Sequence, residues 1–455
     1  MKNKFKNKNV IVIGLKKSGL ASISLLQNKG AFCYAYDDNI QTLQQVLNLS
    51  NVNIVNKIDD DILKIMDYMI ISPGLSIYSE YVKLANLYDV KVIGEVELGS
   101  YFTKGKTIAI TGTNGKTTIT SMIYDALKTA KKPCVLCGNI GEPICENILP
   151  FKSNYVLEVS SFQLESSVKF APDIAVITNI TPNHLDRHLN FKNYRQAKFN
   201  IFKNMTRHNT LILNYDDKTL RELKTQKLKP KVIWVSAEKE IDGYFLKGTK
   251  VFKKKGKKTE LIFDLNGIKL IGKHNLLNSV FVVAICSVLK LNLKQVLSSI
   301  VNFEPISHRL QFIKDVNGVT YINDSKSTSP DSTITAINAI KKPLILLLGG
   351  SDKGTNFDKL AQKIKKSKQI KIVIVQGATT KKIVKSLKKY SIKNFIVAKN
   401  FNDALIKSTQ LAIYGDTVLL SPACASFDYF DCYEARGEKF IEYVKGINIE
   451  TKNQK

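Results

Sequence analysis

Apolar residues occur along this chain in short runs separated by longer stretches with helical periodicity. Between residues 9 and 37 the order is strand, turn, helix and strand: an apolar run over 9–14, a helix beginning near Ser18, and a second run over 32–38. Gly30 stands where that helix should end, since glycine readily adopts the left-handed conformation of a helix C-terminus. This order predicts a βαβ unit with parallel strands.

The same alternation restarts near residue 94 and again after residue 304, so we predict three α/β domains. Residues 1–94 should form a Rossmann-like domain, and residues 95–304 a central P-loop ATPase-like domain around a mostly parallel sheet. Residues 305–455 should form a C-terminal Rossmann-like α/β domain. A chain of 455 residues is long enough for each domain to bury a core of its own.

The net charge of +29 is the composition's most unusual feature, and a nucleic-acid-binding protein is one explanation for it. Of the 68 basic residues, however, 62 are Lys and only 6 are Arg. Readout of bases and phosphates favours Arg with interleaved aromatic residues, whereas lysine runs such as 253–258 are typical of solvated hairpins or loops. We therefore expect no nucleic-acid partner, although an anionic substrate would be attracted by the charge.

Several features of the chain predict a cytoplasmic protein without a membrane span. The longest apolar runs, such as 344–348, are far shorter than the roughly 20 residues that cross a bilayer, and the N-terminus lacks an apolar signal core. The odd number of cysteines, seven, indicates reduced thiols. Cys134 and Cys137 form a lone CxxC pair, which favours a buried strand over a zinc or redox site. A monomer is expected.

The first turn, 14–19, has the outer glycines of a dinucleotide-binding fingerprint but Lys16 in place of the middle one. Asp37 lies at the end of the second strand, where such folds hold a ribose or base. The alternative is a plain Rossmann-like turn without a ligand. A further strand ends at Ser72, just before Pro73 and Gly74, at the edge where open α/β sheets bind ligands.

The strongest local signal is a glycine loop between a predicted strand and helix. Lys116 in this loop should reach the β- and γ-phosphates of a nucleotide, and Thr117 should hold Mg²⁺. A standard P-loop has another glycine where Ile110 stands, so the loop is a shortened variant. The residues that should contact ATP here are Gly112, Thr113, Asn114, Gly115, Lys116, Thr117 and Thr118.

Three residues outside the loop are candidates for metal chemistry. Glu158 ends an apolar strand as a Walker B carboxylate does, the alternative being a surface charge at a strand end. His184 lies in a polar segment with Asp186 and Arg187 and could bind a second Mg²⁺, although a lone His is more often structural. Lys198 lies in a helical stretch, and the alternative for it is an ordinary solvated lysine.

Eight short motifs, in one order along the chain, resemble those of the Mur ligases of peptidoglycan synthesis. They are 111–118, 158–165, 179–187, 194–198, 274–278, 308–309, 323–328 and 349–354. The tail segment 421–428, Ser-Pro-Ala-Cys-Ala-Ser-Phe-Asp, narrows the resemblance to the D-glutamate-adding branch of the family. The motifs occur in all three predicted domains, so the resemblance covers the whole chain.

The resemblance implies an ATP-dependent ligase that joins D-glutamate to UDP-N-acetylmuramoyl-L-alanine through an acyl phosphate. It also implies two Mg²⁺ ions, one held by Thr117 and Glu158 and the other by His184 and a carbamylated Lys198. Lys116 would bind the γ-phosphate. Carbamylation turns the lysine cation into a carboxylate, which suits a metal beside phosphates.

The family's remaining site residues are carried over position by position. Asn275, Arg309 and Asp324 would bind ATP, and Asp37, Ser72 and Asn139 would bind the UDP-sugar. Lys326, Thr328, Lys353, Ser426 and Tyr433 would surround D-glutamate. This chain departs from the family at Tyr433, where Phe is expected, and at Lys16, where glycine is expected.

Three alternatives remain at this stage. The chain could be a Mur ligase that adds another amino acid, or a ligase similar to folylpolyglutamate synthase; the tail motif discriminates against both. A regulatory nucleotide switch would need neither an amino-acid pocket nor Lys198.

Overall fold

The computed structural model describes residues 3–47, 49–270, 272–304, 307–352 and 354–447. Its strands form three separate sheets, one in each of the three predicted regions. The exact domain boundaries near 94 and 304 stay a prediction.

The first sheet is fully parallel, with the strand order β3-β2-β1-β4-β5. After Asn9 its central strand is continuously apolar and buried, because both faces of a parallel strand are covered by helices. The strands are β1 (Asn9–Ile13), β2 (Phe32–Tyr36), β3 (Val52–Ile54), β4 (Tyr68–Ile71) and β5 (Lys91–Gly94). The helices are α1 (Lys17–Asn28), α2 (Ile40–Leu47), α3 (Asp60–Ile65), α4 (Glu80–Leu87) and α5 (Glu95–Ser100).

The second sheet has nine strands in the order β14-β13-β12-β11-β10-β9-β6-β8-β7. Seven strands are parallel, and the predicted solvated lysine hairpin adds β13 and β14 in antiparallel pairing. The strands are β6 (Thr107–Thr111), β7 (Cys134–Gly138), β8 (Asn154–Glu158), β9 (Ile174–Ile177), β10 (Thr210–Asn214), β11 (Lys231–Ser236), β12 (Gly243–Lys247), β13 (Lys250–Lys255) and β14 (Lys258–Asp264). The helices are α6 (Lys116–Thr129), α7 (Ser161–Glu165), α8 (Leu185–His188), α9 (Phe191–Phe199), α10 (Lys218–Arg221), α11 (Lys273–Val288) and α12 (Leu293–Val301).

The third sheet has the order β15-β16-β20-β17-β18-β19, with an antiparallel edge strand on an otherwise parallel sheet. Helices cover both faces and bury two apolar clusters. The strands are β15 (Gln311–Val316), β16 (Val319–Asn323), β17 (Leu344–Leu348), β18 (Ile370–Val375), β19 (Phe395–Val397) and β20 (Thr417–Leu420). The helices are α13 (Pro330–Ala339), α14 (Asp358–Lys366), α15 (Thr380–Lys389), α16 (Phe401–Leu411) and α17 (Tyr433–Lys445).

The chain divides into two compact units, of which the first joins the first two sheets. A short 3-10 helix, Ile144–Glu146, explains the joining because both α1 and α5 pack on it. At Gly99 on α5, a Cβ atom would lie 2.6 Å from the side chain of Ile144, so glycine allows this close contact. The first unit comprises residues 1–182, 187–267 and 276–301, and the second comprises 183–186, 268–275 and 302–455.

All seven cysteines are free, and Cys137 is buried within β7, as the strand interpretation of the CxxC pair predicted. Among the described residues, we find no helix that is both long and apolar enough to span a bilayer.

Candidate active site

The phosphate loop connects β6 to α6 and requires glycine at two positions. Gly112 has a φ of +146°, and a Cβ atom there would lie 1.9 Å from Thr178 Oγ1. Gly115 has a φ of +85°, and its Cβ would lie 2.7 Å from Asn278 Oδ1. The loop therefore packs tightly on its surroundings while α6 begins at Lys116, which directs backbone N–H groups at the loop.

The neighbouring strand end fixes the loop from the outside. Asn179, just after β9, accepts the Thr113 N–H through its backbone oxygen and the Asn114 N–H through Oδ1, both at 2.9 Å. Thr178 Oγ1 donates to the Asn114 carbonyl at 2.5 Å. These bonds hold the loop in one conformation, which is what a preorganised phosphate site requires.

Two lysines converge on one carbonyl oxygen of this loop. Lys116 Nζ donates to Gly112 O at 3.0 Å, and Lys198 Nζ donates to the same atom at 2.8 Å. Lys198 is only 2% exposed and its amine lies 4.9 Å from the Tyr194 ring centre. The alternative that Lys198 is an ordinary solvated lysine is therefore wrong.

The environment of Lys198 favours a neutral amine. Burial lowers the pKa of this amine well below its ordinary value, and the Lys116 charge acts in the same direction, while Glu158 opposes both. A neutral amine is the form of lysine that reacts with carbon dioxide to give a carbamate. The position thus has the chemistry that the predicted carbamylation needs.

Glu158 ends β8 inside the protein, only 2% exposed, and so is not a surface charge. Its Oε1 accepts from Asn139 Nδ2 at 2.7 Å, whereas Oε2 is buried without a hydrogen-bond partner. A buried carboxylate oxygen without a hydrogen-bond partner is suited to binding a cation. Thr117, predicted to bind the same ion, is also buried and directly follows Lys116. Asn139, expected at the UDP-sugar, lies against this carboxylate.

The residues present therefore fit a Mg²⁺ ion that arrives with nucleotide. Magnesium in such sites is bound by one or two carboxylates together with substrate phosphates. Within the described part of the chain, no group of three or more His, Cys, Asp and Glu side chains is arranged to hold a metal ion alone. His184 lies in segment 183–186, which belongs to the second unit, and its backbone has a φ of +53°. Its ligation of a second ion stays a prediction.

The first sheet provides a ligand crevice of its own. Its strand order reverses between β1 and β4, and open α/β sheets bind ligands at the carboxyl ends of the strands at such a point. Gly14 and Ser72 lie there, so close that a Cβ atom on Gly14 would be 2.1 Å from Ser72 Oγ. Asp37 Oδ2 accepts the Leu15 N–H at 2.7 Å. Lys16 has a φ of −71°, so its departure from glycine causes no backbone strain.

In the second unit, Asp324 follows β16 and is fully enclosed. Its Oδ1 accepts the Leu310 N–H at 3.2 Å and its Oδ2 accepts from Ser421 Oγ at 2.7 Å. Burial raises the pKa of Asp324 to about 6, against the opposing hydrogen bonds and the charge of Arg309. Arg309 Nε is buried without a hydrogen-bond partner. Asn275, the third predicted ATP contact of this unit, is buried near the start of α11.

Two of the predicted D-glutamate residues, Lys326 and Tyr433, are in contact with each other. Lys326 Nζ lies 5.2 Å from the centre of the Tyr433 ring, the first residue of α17. Thr328 directly precedes Ser329, which caps α13, and helix N-termini favour carboxylates. Ser426 is buried in the loop after β20. Lys353, also predicted here, lies outside the described residues.

Sequence reasoning missed Arg436, which is 1% exposed on α17. Its guanidinium donates to Ala425 O and Cys424 O at 3.0 Å, to Ser325 O at 2.9 Å, and through Nε to Ser325 Oγ at 2.9 Å. It thereby connects the loops that carry Ser426 and Lys326. One signal was available, since Arg is rare here and this one follows Tyr433 within a helical turn.

Comparison with known proteins agrees with this geometry. Three family models match in order: the Mur ligase MurD-like N-terminal domain over 8–94, the Mur ligase middle domain over 110–286, and the Mur ligase glutamate ligase domain over 308–424. This chain belongs to the Mur ligase family. It is therefore a ligase with three Mur ligase domains, which confirms the family, the enzyme class and the α/β fold predicted from the motifs.

The relatives match over almost the whole chain. The UDP-N-acetylmuramoylalanine–D-glutamate ligase of Lachnoclostridium phytofermentans is 35% identical and covers 98% of this chain and 100% of its own length. The enzyme of the same name from Caldicellulosiruptor bescii is 37% identical, covering 97% and 98%.

Solved structures of Mur ligases share the fold. A pseudomurein peptide ligase type C from Methanothermus fervidus matches with a TM-score of 0.60 at 18% identity, covering 97% of this chain and all of that chain. MurF ligase from Thermotoga maritima, solved with ADP, matches with a TM-score of 0.60 at 16% identity, covering 97% and 95%.

Proposed function

We propose that this chain uses ATP and Mg²⁺ to join D-glutamate to UDP-N-acetylmuramoyl-L-alanine, a step in the synthesis of peptidoglycan precursors. The observation that carries the proposal is the buried Lys198 amine, which shares the Gly112 carbonyl with Lys116 at a phosphate loop beside Glu158. The two substrates are inferred from relatives that are named UDP-N-acetylmuramoylalanine–D-glutamate ligase and are 34–37% identical over nearly the whole chain.

The first chemical step makes the carboxylate reactive. A carboxylate oxygen of the L-alanyl group attacks the γ-phosphorus of ATP, the bond to the oxygen of the leaving ADP breaks, and an acyl phosphate forms. Two anions must approach each other in this step, so positive charge is the main requirement. Lys116 and the backbone N–H groups at the start of α6 supply it.

The second step forms the amide. The amine of D-glutamate attacks the acyl carbon, the carbon–oxygen bond to phosphate breaks, and inorganic phosphate leaves while the nitrogen loses a proton. Thr328, at the N-terminus of α13, and Lys353 would hold the α-carboxylate of D-glutamate, and Ser426 would hold its side-chain carboxylate. Lys326 and Tyr433 would lie beside them.

Magnesium, when bound, neutralises phosphate charge and orients the transferred group. Glu158 and Thr117 would hold one ion, and His184 with a carbamate on Lys198 would hold the second. The carbamate forms when the Lys198 nitrogen attacks carbon dioxide and releases one proton.

The two nucleotide substrates would bind at separate sets of residues. ATP would bind at Asn275, Arg309 and Asp324, and the UDP-sugar would bind at Asp37, Ser72 and Asn139. The nucleotide substrates imply a cytoplasmic protein.

The test is phosphate release from ATP with a panel of substrates. Purified protein with Mg²⁺ and UDP-N-acetylmuramoyl-L-alanine should release phosphate only when D-glutamate is present. Preference for a diamino acid, L-glutamate or alanine would show that the protein is a Mur ligase that adds a different amino acid. ATP turnover with a folate and glutamate would favour the folylpolyglutamate-synthase alternative.

A further inference from the structure

One arginine of the phosphate-loop region reaches into the crevice of the first sheet. Arg187, at the end of α8, donates from Nη1 to Gly74 O at 2.8 Å. Its Nη2 donates to Leu75 O at 2.6 Å and to Pro73 O at 3.4 Å. Three consecutive carbonyls directly after Ser72 thus face one guanidinium.

The guanidinium is itself held firmly from behind. Glu165 Oε2 accepts from Arg187 Nη2 at 3.2 Å, and the carboxylate is only 4% exposed. The Phe162 ring centre lies 5.0 Å from the guanidinium carbon, within the range of a cation–π contact. A side chain fixed by a buried carboxylate and an aromatic face has little rotamer freedom left to lose.

The same carboxylate continues the contacts toward the phosphate loop. Glu165 Oε1 lies 2.8 Å from His188 Nδ1, and the His188 ring lies 5.2 Å from the Tyr194 ring. The Tyr194 hydroxyl lies 3.0 Å from Thr113 Oγ1 in the phosphate loop. A continuous series of side chains therefore connects the loop after β4 with the loop after β6.

The proposed reaction explains why such a connection matters. The L-alanyl carboxylate must meet the γ-phosphate in line, and misplacement by about 1 Å can cost a hundredfold in rate. The uridine end of the same substrate would bind at Ser72 in the other sheet, so the two loops must keep a fixed separation. Within the 73–75 turn, the Leu75 N–H donates to Ser72 O at 3.0 Å. The three charge-assisted hydrogen bonds to the carbonyls of this turn come from Arg187.

We propose that Arg187 is a positioning residue for the UDP-linked substrate, which it serves by clamping the 73–75 turn to the phosphate-loop region. This inference rests on the proposed function for its substrate, although the clamp itself can be tested without it. Arg187 acts through the turn and through Ser72, and it takes no part in the bond-making steps.

The first experiment measures backbone hydrogen exchange without any substrate. In Arg187→Met, the amides of Gly74 and Leu75 should exchange at least tenfold faster than in the unaltered protein, while peptides covering the phosphate loop should be unchanged. The matched control is Arg195→Met, because Arg195 pairs with Glu222 at the surface of the neighbouring helix. Unchanged exchange in the 73–75 turn overturns the clamp, whatever the substrate is.

The second experiment separates binding from chemistry. Arg187→Met should raise KM for UDP-N-acetylmuramoyl-L-alanine at least tenfold and leave KM for ATP within twofold. Arg187→Lys keeps the positive charge but can donate to fewer carbonyls, so its KM for UDP-N-acetylmuramoyl-L-alanine should lie between those of the unaltered protein and Arg187→Met. This variant also provides a result if Arg187→Met fails to fold. Equal increases in both KM values, or none, contradict the inference. If the unaltered protein does not use this substrate, the proposed function fails while the exchange result still decides the clamp.

Discussion

The phosphate loop and the proposed acceptor site would both hold anionic oxygens, yet they are built in opposite ways. The loop draws its contacts from consecutive residues, 111–118, between one strand and one helix. The acceptor site draws on Lys326, Ser426 and Tyr433, which follow two different strands and start a helix. Buried Arg436 has to connect those segments. Function is concentrated in the first region and distributed over the second.

This difference should appear as a difference in mutational cost. In the concentrated site each charge acts on the same phosphoryl group, so removing one leaves a deficit that no neighbour replaces. In the distributed site several weaker contacts share the recognition of two carboxylates. We therefore expect the largest losses at the phosphate loop and graded losses at the acceptor site.

The largest effect is expected for Lys116→Ala. This change removes the only loop side chain with a full positive charge, and kcat should fall at least about a thousandfold. Thermal unfolding should be nearly unchanged because the Lys116 amine donates to the carbonyls of Gly112 and Thr113. The loop itself is held by its backbone hydrogen bonds to Asn179, which the change leaves in place. Lys106→Ala is the control, because Lys106 is exposed just before β6, and it should retain full activity. Near-normal turnover by the Lys116 variant would refute the assigned site.

Lys198→Ala should reduce kcat about a hundredfold to a thousandfold, because it removes the carbamate proposed to bind the second metal. Short carboxylic acids should partly restore activity by occupying the vacated anionic position. Because burial lowers the pKa of the amine, it stays neutral and open to carbon dioxide until the pH falls below that lowered value. Activity should therefore be lost on the acid side and recover with added bicarbonate. Lys203→Ala, exposed just beyond α9, should show neither effect.

A bare ammonium at Lys198 in crystals grown with ample bicarbonate and both metals bound would contradict the carbamate. Failure of the acids to rescue Lys198→Ala, with the fold intact, would count against it as well.

The acceptor site should discriminate by a smaller factor. An amino acid without a side-chain carboxylate leaves the donors for that group unpaired. Each unpaired buried donor reduces the binding free energy by about 1 to 3 kcal/mol. D-alanine and L-alanine should therefore react tenfold to a hundredfold worse than D-glutamate in kcat/KM. L-glutamate should also fail, since inversion at the α-carbon turns the amine away while both carboxylates stay bound. Ser426→Ala should narrow the preference for D-glutamate.

The same contrast explains what could be predicted from sequence. Strands such as β6 and β17 were predictable because parallel strands buried on both faces are continuous apolar runs. The phosphate loop was predictable because its chemistry lies in consecutive residues. The family resemblance confirmed by the relatives supplied the scattered positions, such as Asn275 and Arg309.

Contacts between distant segments could not be predicted. Nothing local to Gly99 indicates that it meets Ile144, a contact that lies within the compact unit formed by the first two sheets. The sequence shows Arg187 only as a neighbour of His184, whereas its three carbonyl acceptors lie more than a hundred residues earlier. Burial of Lys198 is likewise a tertiary property, since its helix contains mostly polar residues.

The smallest effect is expected at Tyr433, the position at which the resemblance to the Mur ligases predicts Phe. The ring supports Lys326 at 5.2 Å and lies 6.2 Å from the His308 ring, edge to face. Both contacts depend on the aromatic face and edge, and Phe preserves them. Tyr433→Phe should therefore change KM for D-glutamate by less than about threefold.

Tyr433→Ala separates the ring from the hydroxyl. Loss of the cation–π contact is worth about 0.5 to 2 kcal/mol, which corresponds to roughly a twofold to thirtyfold increase in KM for D-glutamate. KM for ATP should stay within twofold, since the effect arises where Lys326 meets the acceptor. If Phe proved as damaging as Ala, the hydroxyl would be the functional group and the departure from the family would be an adaptation of this acceptor site. If recognition is distributed over several contacts, Tyr433→Phe should be much less damaging than Tyr433→Ala, because the loss of one hydroxyl then changes KM for D-glutamate only slightly.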